Sequence, residues 1–150
     1  MKALSTRLFA LNEAWKENAN IYRQMAKQMN LTDMAMWALY TLRVEPGEMT
    51  QSRMCEFLHE PKQTINSAIR KMEANGWIEL KPGKGRSMQI FLTDTGRQIQ
   101  QEKIYPVIQA ENNALSVLSP EEWDQLILFH QKYAAALRSE FMKLHRKESQ

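Results

Sequence analysis

The sequence predicts a mainly α-helical chain with one small β-hairpin. Three observations predict it. Apolar residues recur at steps of three and four through most of the 150 residues, the period of a helix with one buried face. That period breaks once, where Trp77-Ile78-Glu79-Leu80-Lys81 alternates, Pro82-Gly83-Lys84-Gly85-Arg86 turns and Met88-Gln89-Ile90-Phe91-Leu92 returns, the pattern of two strands joined by a tip. Capping residues and Gly/Pro pairs divide the helical remainder into separate pieces.

The elements follow in order. Leu4, Leu8, Leu11, Trp15, Tyr22, Met25 and Met29 form a near-heptad seam, with Asn18 in its one long step, so a long N-terminal helix is expected to pack partly against another subunit. Thr32 suits the N-cap of a helix reaching about Arg43. Glu45-Pro46-Gly47-Glu48 is a turn. Met49 is expected to form a short strand. Thr50 then caps a helix over 51–58, with Met54, Phe57 and Leu58 facing inward. His59 and Glu60 make a tight connection, and Pro61 is placed at the first position of a helix over 61–74, where its missing N–H costs nothing. Asn75-Gly76 ends that helix. After the hairpin, Thr93 caps a helix that Pro106 should kink. Ser119-Pro120-Glu121-Glu122 is a capping box. It opens a last helix with Trp123, Leu126, Phe129, Tyr133, Leu137, Phe141 and Leu144 on its apolar side.

The totals set limits. Hydrophobic residues are 43% and charged residues 25%, ordinary for a soluble domain with one modest core. No apolar run approaches the roughly 20 residues of a membrane span, and the amphipathic N-terminus does not read as a signal peptide. The single cysteine, Cys55, rules out an internal disulfide and fits a reducing cytoplasm. Net charge is only +3, but residues 61–97 hold seven cations against three carboxylates. Positive charge therefore gathers around one helix and the hairpin, as a nucleic-acid surface requires.

That helix, KQTINSAIRKM over 62–72, has two faces. Ile65, Ile69 and Met72 mark the buried one. Gln63, Thr64, Asn66, Ser67 and Arg70 fall on the other, where a merely solvated face would carry many Glu and Lys. A helix, a tight turn and a second helix with a small polar face form a helix-turn-helix, whose second helix enters the DNA major groove by its N-terminal residues. Amides, hydroxyls and arginine suit base edges there. The expected DNA contacts are Lys62, Gln63, Thr64, Asn66, Ser67, Arg70 and Lys71, with Lys84 and Arg86 reaching phosphates or a minor groove from the hairpin tip.

The run MTQSRMCEFLHEPKQTINSAIRKMEANGWIELKPGKGRSMQIFLTDTGRQI resembles the winged helix-turn-helix of the MarR family of multiple-antibiotic-resistance regulators. MEANGWIE and LTDTG are its most specific parts, and the flanking helices agree in order and length. The resemblance implies one domain over 1–150. Its DNA-binding region would be the winged helix-turn-helix over 31–93, and its helical dimerisation region would be 1–30 and 94–150. It also implies a homodimeric, cytoplasmic repressor that binds double-stranded DNA and is released by a small-molecule effector, without cofactor. The family's wing carries an Asp two residues before an Arg. Here the Arg matches Arg86 but the Asp position holds Lys84, which removes a bracing carboxylate and makes the tip more positive.

Other features are weighed against that reading. Trp15, Trp37 and Tyr40 are candidates for an effector pocket, although such aromatics are more often plain core. Cys55 with His59 and Glu56 nearby lacks the ligand count of a metal site, and a redox role needs an exposed, low-pKa thiol. The ten methionines suit gap-filling in helical cores. No phosphate loop, paired ligand motif or nucleophile elbow appears, so no enzyme is expected. The alternative is a winged-helix module that holds a protein partner through the same face, for which a more apolar or acidic helix would be expected.

Overall fold

The computed structural model describes residues 2–83 and 87–148. The described helices are α1 (Lys2–Gln28), α2 (Asp33–Val44), α3 (Gln51–Leu58), α4 (Lys62–Ala74), α5 (Asp94–Ile99), α6 (Tyr105–Leu115) and α7 (Pro120–Glu148). Strands β1 (Ile78–Pro82) and β2 (Met88–Leu92) form the antiparallel hairpin, in register from Ile78 opposite Leu92 to Pro82 opposite Met88. The predicted mainly helical fold with one hairpin is therefore the observed one. The side chain of Leu4, first in the N-terminal seam, is outside the described set. The chain divides into two compact units, Met1–Val107 and Ile108–Gln150.

In the first unit, α2 packs against α1, α3 and α4. Its core holds Met36, Leu39, Met54, Ile65, Met72 and Ile104, all fully buried. Local chemistry sets the helix starts. The side-chain oxygens of Thr32, Thr50 and Thr93 accept from the backbone N–H of Ala35, Arg53 and Gly96, each satisfying a donor the helix itself leaves open. Gly76 ends α4 at φ +70, a conformation that costs glycine little. A Cβ on Gly96 would lie 1.8 Å from the Trp77 carbonyl oxygen, so α5 rests against the entry to β1 only because that residue is glycine.

Three local expectations are corrected, and a fourth, at Pro106, gains its local geometry. Phe57 does not face inward; it is 42% exposed and Leu58 is half-buried, while Met54 alone of the three is in the core. An eight-residue helix has room for one deeply buried position. Met49 is buried but forms no strand; the pairing is a lone bridge from Thr50 to Gln89, with the Ile90 N–H donating to the Met49 carbonyl at 2.8 Å. Pro61 is the N-cap rather than the first helical residue, with ψ 144. The irregularity near Pro106 is a π-turn over Gln100–Ile104 that joins α5 to α6. A wider turn just before the proline relieves its ring from the preceding carbonyls. Within the π-turn, buried Gln100 donates from Nε2 to the Leu39 carbonyl at 2.9 Å and Lys103 donates to the Met29 carbonyl at 2.6 Å.

In the second unit, α7 starts with the predicted capping box. The Ser119 N–H donates to Glu122 at 2.8 Å, and the Glu122 N–H donates to Ser119 Oγ at 3.2 Å. Glu121 in the same turn is held below the usual carboxylate range, first by a backbone hydrogen bond and then by one from Ser119. None of the described side chains of this unit is buried.

Candidate nucleic-acid interface

The geometry of α4 begins with the connection before it. His59 adopts φ 53, ψ 34 and closes α3, its N–H donating to the Cys55 carbonyl. Glu60 and Pro61 then redirect the chain into α4, which lies against both α2 and α3. Unlike α2, α3, α5 and α7, this helix starts without a side-chain cap. Its first N–H groups thus keep the hydrogen-bonding capacity that helix starts offer to anions.

Burial sorts the helix into two sides. Ile65, Ala68, Ile69 and Met72 are buried. Lys62, Gln63, Thr64, Ser67, Arg70 and Lys71 are exposed, and Asn66 is half-buried beside the apolar arc. A row of small polar side chains followed by Arg70 and Lys71 therefore runs along an outer face backed by packed aliphatic side chains. Such a rigid backing is what holds base-reading groups in register.

Ion pairing separates the cations of the basic segment. Lys81 pairs with Glu79 at 2.7 Å and sits 5.1 Å from the Phe91 ring centroid. Arg97 pairs with Asp94 and donates to the Leu92 carbonyl at 2.7 Å. Both therefore brace the hairpin. Lys62, Arg70 and Lys71 form no ion pair among the described residues. Lys84 and Arg86 lie outside the described residues.

One structural residue was not read from the sequence. Arg53 of α3 donates to the Glu48 carbonyl at 2.7 Å, the Pro46 carbonyl at 3.1 Å and the Glu45 carboxylate at 3.1 Å. It fixes the turn that carries Met49 and Thr50 to β2, and so ties the helix-turn-helix to the hairpin. The nearby Glu45 was the available signal, but its eight-residue separation is not a helical spacing.

The aromatic candidates divide. Trp37 meets Tyr22 at 4.8 Å and Tyr40 at 5.5 Å between ring centroids. Trp37 and Tyr40 line a recess of about 300 Å³ with Met34, Phe57, Leu58 and Glu60. Trp15 is not among its lining residues; it is 37% exposed on α1. Cys55 is half-buried. No group of three or more His, Cys, Asp or Glu side chains among the described residues is placed to hold a metal ion. No helix there is long and apolar enough to cross a membrane.

Comparison with known proteins agrees with this architecture. Residues 29–87 match the model of the MarR family. Two Bacillus subtilis (strain 168) proteins described as uncharacterized HTH-type transcriptional regulators are similar in sequence. YkoM is 39% identical over 71 residues, 45% of this chain and 46% of YkoM. YwoH is 27% identical over 90 residues, 59% of this chain and 65% of YwoH. The chain thus spans about half to two thirds of the relatives it matches. The MarR family regulator NMB1585 from Neisseria meningitidis has the same fold, with TM-score 0.81, 21% identity and coverage of 91% of this chain and 97% of that one. Staphylococcus aureus MepR in its DNA complex gives TM-score 0.67, 21% identity and coverage of 86% and 96%.

Proposed function

We propose that the chain, whose residues 29–87 match the model of the MarR family, is a MarR-type homodimeric, sequence-specific DNA-binding repressor released from its operator by a small molecule. One observation carries the reading: the outer face of α4 joins small polar side chains to three cations without ion pairs, on a backing of buried Ile65, Ile69 and Met72. That is the composition a helix needs in a major groove. Thr64 and Ser67 are short enough for close approach, they and Gln63 can bond base edges, and Arg70 can grip guanine with two hydrogen bonds. Asn66, half-buried, reaches less far and serves as a flank of that contact. Lys62 and Lys71 suit phosphates, as do the uncapped N–H groups at the start of α4. Lys84 and Arg86 add charge at the wing. The DNA-bound state of MepR, a protein of the same fold, supports this use of the winged helix.

The dimer is inferred from apolar surface. Leu8, Phe9 and Ile21 on α1 are exposed, as are Leu126, Phe129, Phe141 and Leu144 on α7. So much apolar surface is expected to be covered by a second chain. Two α4 helices related by a two-fold axis would enter successive major grooves, roughly 10 base pairs apart. An effector in the recess beside Trp37 and Tyr40 would favour an arrangement of the α4 helices that no longer fits that spacing. The activity is binding rather than catalysis, as for relatives described as transcription regulators.

Enrichment of fragmented host genomic DNA on the purified protein, at near-physiological salt, tests the reading. A shared inverted-repeat motif is the expected result. Weak enrichment without a motif, vanishing as salt rises, would mean charge attraction alone and would favour a protein partner for the same face.

A further inference from the structure

The recess between α2 and the end of α3 carries an inference about ligand chemistry. Three of its six lining residues, Trp37, Tyr40 and Phe57, are aromatic, and two, Met34 and Leu58, are apolar. The sixth, Glu60, is the one charged group, and no lysine, arginine or histidine lines the space. The Glu60 carboxylate forms no ion pair among the described residues. The ring faces, through their quadrupoles, and Glu60, through its full charge, therefore both favour a positive guest, and the Trp37 N–H and Tyr40 O–H add no positive charge. An anionic guest would lose hydration and meet no compensating cation. A cationic guest would gain from the rings and the carboxylate together, without displacing an existing partner. Phe57, exposed rather than packed in the core, supplies an apolar wall that the fold does not otherwise use. The volume of about 300 Å³ lies at the small end for ligand sites.

We propose that this recess binds a lipophilic organic cation with one or two aromatic rings, its ring system against Trp37, Tyr40 and Phe57 and its charge toward Glu60. The inference deepens, and rests on, the reading of the chain as a regulator released by a small molecule. The position of Glu60 gives the cation a route to α4. Glu60 follows His59, held at φ 53, and precedes Pro61, the N-cap of α4. A guest that draws on the Glu60 carboxylate acts on the two-residue link that sets where α4 begins.

The test is calorimetric titration of the full chain, without DNA, using benzyltriethylammonium as the cation and benzoate as the anion. The cation should bind at least about tenfold more tightly than benzoate. Glu60→Gln should remove most of that preference while leaving benzoate no weaker, and Glu60→Asp should retain it. Equal or tighter binding of benzoate would overturn the proposal, as would no binding of either probe or a Glu60→Gln variant that keeps the preference. Because the titration contains no DNA, its outcome is separate from that of the genomic enrichment. A protein that selects an inverted repeat but ignores the cation refutes this inference alone, and one that binds the cation but no DNA refutes only the regulator reading.

Discussion

Helix α4 and helix α7 treat their apolar residues in opposite ways. In the 13 residues of α4, Ile65 and Ile69 are 0% and 3% exposed. In the 29 residues of α7, Leu126, Phe129 and Phe141 are 50%, 59% and 53% exposed. Both helices are amphipathic by the same sequence rule. The difference teaches that a helical apolar face specifies burial without naming the partner. For α4 the partner is the rest of the same unit, which frees the opposite face to meet a polar ligand. For α7 none of the described side chains is buried, and the proposed partner for its apolar face is a second chain. One helix is finished by folding, and the other is expected to be finished by association.

The sharpest way to break that contrast is to charge the α7 face. Leu126→Asp with Phe129→Asp should weaken the dimer by about 100-fold or more, read by sedimentation equilibrium, while the first unit keeps its fold. A dimer of unchanged strength would remove α7 from the interface. The counterpart in the first unit is Ile65→Ala, expected to cost about 2–5 kcal/mol in denaturant unfolding because the site is closed on every side. A loss below about 1 kcal/mol, smaller than such a cavity usually costs, would mean that α4 is not held as rigidly as its burial implies. Gly96→Ala should cost about 3 kcal/mol or more, since the Trp77 carbonyl stands where the methyl must go.

Smaller effects concern the outer face of α4. Arg70→Ala should cost about 1–3 kcal/mol of DNA binding and relax base preference at one position. Equal losses on every sequence would make Arg70 a phosphate contact instead. Arg86→Ala at the wing should shallow the salt slope of binding by about one unit; an unchanged slope would count against a wing contact.

Much of this was legible in the sequence because it is local. The Thr32, Thr50, Thr93 and Ser119 caps act within three residues, and the hairpin is marked by alternation around Pro82-Gly83. The polar face of α4 follows from helical period, as does most of its burial. What was missed depends on contacts far apart in sequence. The inward side of α3 was misjudged at Phe57 because the periodicity of so short a helix does not fix which residues find a partner. The Arg53 clamp needs the turn at 45–48 folded back over α3. The roles of Lys81 and Arg97 were within reach, since Glu79 and Asp94 stand at strand and helix spacings that bring partners together, yet both cations counted only toward a charge total. Of the aromatic candidates Trp15, Trp37 and Tyr40, the last two line one recess, a proximity that residue type alone does not encode.

The most direct test of the central claim joins both helices in one measurement: sedimentation of the full chain, alone and with the inverted-repeat duplex obtained by enrichment. The account predicts a dimer in free solution and two chains per duplex, with the Leu126→Asp, Phe129→Asp variant losing both. A monomer that binds the duplex one to one with full sequence preference would contradict it, because α4 would then read DNA without the partner that the exposed face of α7 calls for.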